Sequence, residues 1–110
     1  MAGFVKGDIV VIPFPFSDLS GSKRRPALVI AGVAGDDLIL CQITSQHKKD
    51  PYAIPATPAD LKSGSLIKLS HIRPNRIFTA DENIIIKKVA TLNENTINEV
   101  INKIIAILEA

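Results

Sequence analysis

The sequence predicts an α+β domain over residues 1–110, in which a strongly bent antiparallel sheet or barrel carries one amphipathic helix at the C-terminal end. Two observations lead to this fold class. Short apolar runs rich in β-branched residues, separated by Gly, Pro and polar turns, make up most of the chain. After residue 93 the apolar residues instead recur with the period of an α-helix. Strands first and one packing helix last are typical of a small α+β domain.

The first three predicted strands are the most regular. Strand one covers 9–12 and ends at Pro13, or continues only as an edge, because proline cannot donate a ladder hydrogen bond. Residues 26–31 and 38–44 are the second and third strands, and the turn Gly35-Asp36-Asp37 between them indicates a hairpin.

The later strands follow weaker patterns. A short strand is predicted at 52–54, and residues 59–64 are polar, with Gly64 marking a turn. The partly alternating segment 66–72 indicates a further strand, which Arg73-Pro74-Asn75 should end. The apolar segment 84–90 is the last predicted strand.

One apolar stripe defines the C-terminal helix and is predicted to be a core face. Its members are Ile97, Val100, Ile101, Ile104, Ile105 and Leu108. Asn93 is the predicted N-cap, with Leu92 and Ile97 forming a hydrophobic staple across it. A capping pair of Thr91 and Glu94 is the alternative.

Composition excludes several classes of protein. The 110 residues are 46% hydrophobic and include one cysteine. Cys41 therefore excludes an internal disulfide framework and a Cys-rich zinc site, and its place in an apolar strand indicates a buried, inert thiol. No metal-binding motif is present, so no metal or other cofactor is expected. The sequence has neither an apolar run of about 20 residues nor a signal-peptide core, which predicts a soluble cytoplasmic protein that does not enter a membrane.

The positions of the charged residues are more informative than the net charge of the chain. The net charge of +2 is too small to indicate a nucleic-acid partner. Basic residues nevertheless cluster at Lys23-Arg24-Arg25, at His47-Lys48-Lys49, and at His71 with Arg73 and Arg76. Each cluster, taken by itself, is also compatible with a solvated loop.

Polar side chains stand at the ends of three predicted strands. If the hairpin pairs antiparallel, Arg25 and Thr44 lie at the same end of it, and Ser70-His71-Ile72-Arg73 ends another strand. The guanidinium of Arg25 presents a fixed fork of donors that suits a phosphate group. The three strand ends therefore either line one cleft or are unrelated loop edges.

Several motifs resemble those of the MazF/PemK toxin family. The similar stretches are Lys6-Gly7-Asp8-Ile9-Val10, Lys23-Arg24-Arg25-Pro26-Ala27-Leu28-Val29-Ile30 and Ile43-Thr44-Ser45-Gln46, followed by the terminal helix. Each motif is weak alone, but together they occur in the family's order. The resemblance extends over roughly residues 6 to 108.

The resemblance implies a fold, an activity and a set of partners. The fold would be a small SH3-like barrel with a C-terminal helix, and the protein a homodimer. It would be the toxin of a type II toxin–antitoxin pair and a metal-independent, sequence-selective endoribonuclease that cuts single-stranded RNA, chiefly mRNA. The products would carry 2′,3′-cyclic phosphate and 5′-hydroxyl ends. A cognate antitoxin would occupy the RNA groove, and operator DNA would be reached only through the antitoxin complex.

The resemblance also suggests site residues. The family's arginine before the proline corresponds to Arg25, and its Thr or Ser at a strand end corresponds to Thr44. His71 completes the predicted catalytic set, because histidine is suited to proton transfer near neutral pH. The general acid and base stay open, since Asn75 stands where some members have an acidic residue. RNA contacts are predicted for the neighbouring polar and basic residues Lys23, Arg24, Ser45, Gln46, His47, Lys48 and Arg73.

Two further functions are compatible with the same barrel. One is a non-enzymatic toxin that traps a DNA topoisomerase, which would not require an Arg–Thr pair facing a phosphate. The other is an inactive RNA-binding barrel. With four Phe, one Tyr and no Trp, the chain has few aromatic side chains for extensive base stacking.

Overall fold

The computed structural model describes residues 3–14, 23–45 and 49–110. Over these residues seven strands form one antiparallel, barrel-like sheet, and one α-helix follows them, as the sequence predicts. The strands are β1 (Asp8–Phe14), β2 (Lys23–Gly32), β3 (Asp37–Thr44), β4 (Ile54–Ala56), β5 (Leu61–Gly64), β6 (Ser70–Asp81) and β7 (Lys87–Leu92), and the helix is α1 (Glu94–Glu109). Their spatial order is β4-β6-β3-β2-β1-β7-β5.

Each face of the sheet carries its own hydrophobic cluster, because side chains alternate between the faces along a strand. The first face is covered by α1 and includes Leu28, Ile43, Ile72 and Val100. The second face carries the remaining buried strand residues Val10, Ile12, Ala27, Val29, Leu38 and Leu40. The central strands are therefore buried on both sides.

The turn that leads into β1 depends on Gly7 and Asp8. Gly7 has a φ of 98°, and a Cβ there would lie 2.5 Å from Cδ1 of Ile97 in the helix. The buried Asp8 carboxylate accepts a hydrogen bond from the backbone N–H of Val5 at 3.0 Å and lies 3.7 Å from Nζ of Lys88. The Gly-Asp motif therefore positions the first strand and the helix.

The hairpin of β2 and β3 is confirmed, and both strands are longer than predicted. β1 also extends past Pro13 to Phe14. Pro13 lies where β1 pairs with β2 alone, since the pairing with β7 covers only Asp8 to Val11. It therefore occupies an edge, where a missing N–H costs no ladder hydrogen bond.

The predicted strand 66–72 is wrong in both bounds. β6 begins at Ser70 and runs through Arg73-Pro74-Asn75 to Asp81. Pairing with β3 passes from Ile43–Ile72 to Cys41–Ile77, so that residues 73–76 bulge opposite Gln42. The bulge accommodates the proline, which a regular central ladder would not.

Three other predicted segments also differ from the structure. β4 covers Ile54–Ala56 rather than 52–54. Residues 61–64, expected only to be polar, form β5, which pairs with β7 at the edge of the sheet. The last strand, β7, begins at Lys87 rather than at residue 84, after a 3-10 turn at Glu82–Ile84. The segments 61–64 and 82–84 are short and mostly exposed, so that no alternating pattern marks them.

The helix begins at Glu94, directly after the predicted N-cap Asn93. The side chain of Asn93 accepts a hydrogen bond from the backbone N–H of Thr96 at 2.8 Å, and Leu92 and Ile97 share a core cluster. The stripe is only partly a core face, however. Ile105 and Leu108 are 45% and 72% exposed in the single chain.

The described residues contain no helix of the length and apolarity needed to cross a bilayer.

Asp60 joins the start of the helix to the segment before β5. Its carboxylate accepts hydrogen bonds at 2.8 Å from the backbone N–H of Thr57 and from the hydroxyls of Thr57 and Thr96. These donors favour the charged form, and the Thr57 N–H contributes most to holding the pKa of Asp60 below its usual 3.8.

We expect Asp60→Asn to destabilise the fold by about 1–3 kcal/mol at pH 7, because charge-assisted hydrogen bonds to three donors are weakened. A lowered folded-state pKa stabilises the protein above pH 3.8, and this contribution is lost as the pH falls through the folded value. Urea unfolding at decreasing pH should therefore show the two proteins converging below about pH 4. Asp36→Asn, in the exposed β2–β3 turn, is the matched control. An unchanged difference at low pH would contradict the assignment.

Candidate functional site

Three predicted catalytic residues lie in one row across β2, β3 and β6. Thr44 at the end of β3 is the direct partner of His71 on β6. On the other side of β3, the β2–β3 ladder ends at the pair Ala27–Gln42. If that register continued two residues past the end of the ladder, Arg25 would lie opposite Thr44, and the row would span two strand spacings, roughly 10 Å.

The row lies on the second face of the sheet, opposite the helix. Arg25 shares this face with Ala27 and is paired with the buried Ile12 of β1. Thr44 is buried at 7% exposure, and Arg25 and His71 are half-buried. Side chains with apolar neighbours on one side and solvent on the other suit a surface cleft, where a bound charge is only partly screened.

The two arginines before Pro26 have different environments. Arg24 is exposed and, as the next residue along β2, points to the opposite face from Arg25. Only Arg25 therefore joins the row with Thr44.

The imidazole of His71 is half-buried, and its Nδ1 is buried and, within the described residues, has no hydrogen-bond partner.

The predicted RNA-binding residues are distributed more widely. Lys23 begins β2, and Ser45 is exposed directly after Thr44. Arg73 lies in the β6 bulge, where its Nε donates a hydrogen bond at 2.9 Å to Oδ2 of Asp50. The other predicted contacts, Gln46, His47 and Lys48, lie outside the described residues.

Sequence reasoning missed Asp50. The backbone N–H of Tyr52 donates to its Oδ1 at 2.9 Å, and this bond is the main cause that lowers the pKa of Asp50 below 3.8. Arg73 lowers the pKa further, and Arg76 adds a smaller electrostatic contribution. A carboxylate whose pKa is lowered further below neutrality is poorly suited to act as a general base near neutral pH. Its only sequence signal was an Asp before Pro51 in a polar loop.

Cys41 is buried, as the sequence predicts. Burial raises the pKa of its thiol to about 12, so that the reactive thiolate is suppressed. Its Sγ–H donates to the backbone carbonyl of Arg73 at 2.8 Å. In the described ranges, no group of three or more His, Cys, Asp or Glu side chains is arranged to hold a metal ion.

Solved structures share this fold. A chain of the MazE–MazF crystal structure from Deinococcus radiodurans aligns with a TM-score of 0.75 and 22% identity, covering 96% of each chain. An endoribonuclease from a mycobacterial species, solved with its cognate antitoxin, aligns with a TM-score of 0.76 and 12% identity, covering 97% of this chain and 96% of that one. The Mycobacterium tuberculosis toxin MazF-mt6 aligns with a TM-score of 0.71 and 13% identity over 93% and 96% of the two chains.

The sequence comparison is more specific. A search of curated protein sequences finds no match. The model of a protein family, described as PemK-like, MazF-like toxin of type II toxin–antitoxin system, matches residues 5–108, nearly the whole chain. The chain therefore belongs to the PemK-like, MazF-like family of type II toxins.

Proposed function

We propose that this toxin is a metal-independent, sequence-selective endoribonuclease that cuts single-stranded RNA, chiefly mRNA. The observation that carries the proposal is the row of Arg25, Thr44 and His71 on one face of three strands. The row combines a cation, a hydroxyl and an imidazole on one face of the sheet. This set matches the needs of RNA cleavage through the 2′-hydroxyl.

RNA carries its own nucleophile, so no activated water is needed. The 2′-oxygen loses its proton and attacks the adjacent phosphorus, and the bond from phosphorus to the 5′-oxygen breaks. The 5′-oxygen takes up a proton as it leaves. One product ends in a 2′,3′-cyclic phosphate and the other begins with a 5′-hydroxyl.

Arg25 suits the stabilisation of charge in this reaction. The pentavalent transition state places extra negative charge on the phosphate oxygens, and a preorganised guanidinium donates to two of them. Arginine is a poor proton donor or acceptor because it stays charged at all physiological pH values. Its role is therefore electrostatic.

Thr44 and His71 suit the remaining tasks. The hydroxyl of Thr44 can hydrogen-bond a phosphate oxygen or position the 2′-hydroxyl. His71, the direct neighbour of Thr44 across the strands, is the residue of the row whose type commonly transfers protons near neutral pH. We assign this transfer to Nε2, because Nδ1 is buried.

The proposal extends to protein partners. A mycobacterial relative of this fold was solved with its cognate antitoxin, and membership of a toxin–antitoxin family implies a cognate antitoxin here as well. This antitoxin would cover the row, and operator DNA would be bound only through the antitoxin complex. The toxin itself would be a homodimer, for which exposed apolar side chains such as Ile67 and Leu108 are candidate contacts.

Purified toxin incubated with RNA in EDTA tests the function directly. We expect cleavage at short sequences, unchanged by EDTA, with 2′,3′-cyclic phosphate and 5′-hydroxyl ends detected by end mapping. Loss of cleavage in EDTA, or 5′-phosphate ends, would refute the mechanism. RNA binding without cleavage would identify an inactive barrel, and inhibition of a topoisomerase without RNA cleavage would identify a topoisomerase trap.

Arg25→Ala should reduce the cleavage rate by at least about 10²-fold, because a preorganised charge facing the transition state is lost. Arg24→Ala is the matched control and should cost far less, since its side chain faces away from the row. Circular dichroism should show that both variants fold as the wild type does. Equal losses would indicate a generic basic patch.

His71→Gln tests the proton-transfer role. If His71 transfers the proton, the rate of the wild-type protein should change with pH across about pH 5.5–7.5. The glutamine variant should have a slower rate and a flat profile over this range. Thr44→Ala should lower the rate without moving the profile. A profile that persists in His71→Gln would remove this residue from proton transfer.

A further inference from the structure

Asp50 and Arg73 form an ion pair that is largely shielded from solvent. Oδ2 of Asp50 accepts from Nε of Arg73 at 2.9 Å, and the two side chains are only 6% and 12% exposed. Oδ1 of the same carboxylate accepts from the backbone N–H of Tyr52 at 2.9 Å. Both oxygens of Asp50 are thus in use, which fixes the carboxylate and through it one edge of the guanidinium.

The backbone of Arg73 is also held in place. Its carbonyl accepts the thiol hydrogen of Cys41 from the neighbouring strand at 2.8 Å, and the next residue, Pro74, is fully buried. Arg73 lies in the bulge of β6, where the regular ladder to β3 is interrupted. Because the ladder hydrogen bonds to β3 are interrupted here, these contacts hold Arg73 instead, through its backbone carbonyl and through its Nε.

The anchored guanidinium lies beside the proposed active site. Arg73 follows His71 by two residues on β6, so that their backbones are roughly 7 Å apart, and burial alternates from Ser70 to Pro74 with His71 and Arg73 both on the less buried side. Asp50 occupies only Nε. In the described part of the chain, the two terminal nitrogens have no other partner, which leaves four N–H groups for a ligand.

We propose that Asp50 is a positioning residue of the RNA site, which orients Arg73 so that its terminal nitrogens bind a phosphate next to the one that is cleaved. The inference rests on the proposed function. A guanidinium with a fixed plane matches the two oxygens of a phosphodiester, and orienting it beforehand removes the cost of ordering a long side chain. A carboxylate beside an RNA site would otherwise repel the phosphate chain.

Two other roles for the pair make different predictions. A purely structural ion pair would stabilise the fold without affecting RNA affinity. If the cluster acted only through its net charge, removing the negative charge of Asp50 would tighten RNA binding. The positioning role predicts the opposite sign, because the variant has a more positive surface but a disordered guanidinium.

Binding of a fluorescein-labelled, mixed-sequence 2′-O-methyl RNA, which lacks the nucleophile and cannot be cut, tests the proposal separately from catalysis. Fluorescence anisotropy should show about ten-fold weaker binding for Asp50→Asn. Asp37→Asn makes the same charge change at the far, exposed end of β3 and should bind as the wild type or slightly tighter. Binding of Asp50→Asn equal to or tighter than that control would overturn the proposal.

Arg73→Lys keeps the charge and can still pair with Asp50, so it covers the case in which Asp50→Asn does not fold. The lysine variant lacks the forked donors of a guanidinium, so it should also bind the RNA about ten-fold more weakly. Its urea midpoint should stay near that of the wild type. The double variant should lose little more than either single variant, because both act on one contact. Wild-type affinity in Arg73→Lys would refute the role of the fork. Failure of the wild type to cleave natural RNA would instead refute the function.

Discussion

The register of β3 between β2 and β6 is the constraint on which the site depends. β3 is buried on both faces, since Leu38 and Leu40 pack on one side and Cys41 and Ile43 on the other. A slip of one residue in either direction would exchange these faces and turn Gln42 toward the first cluster. The same alternation that fixes the core therefore directs Thr44 to the face of Arg25 and His71. Packing energy supplied by apolar residues determines where the polar ones meet.

The two faces of the sheet have different roles. The helix covers one face, and its start is tied down by Asn93 and Asp60. The row of polar residues occupies the other face, with a separate cluster of apolar residues beneath it. Of the motifs that relate this chain to its family, Gly7-Asp8 serves the first face by fitting under Ile97, and Arg25 serves the second. A family signature thus mixes residues that hold the fold with residues proposed to act on a substrate.

Sequence reasoning succeeded where local pattern decides the structure. The β2–β3 hairpin and the helix with its Asn93 cap follow from spacing and turn chemistry, and the hairpin alone was enough to bring Arg25 and Thr44 to one end. It failed at β6, because a proline that normally ends a strand is carried by a bulge whose cost is met by contacts from distant residues. Asp50 was missed for the same reason, since its partner is 23 positions away and no local pattern reports it.

The place where the ladder between β2 and β3 stops has a consequence for substrate fit. Beyond Ala27 and Gln42, β2 continues paired only with β1, while β3 stays paired with β6 to its last residue. Arg25 thus belongs to one pair of strands, and Thr44 with His71 to another, and the seam between the pairs runs through the row. Within the described residues, no ladder pair joins Arg25 to Thr44, so a group bound between these side chains would contact two separate strand pairs at once.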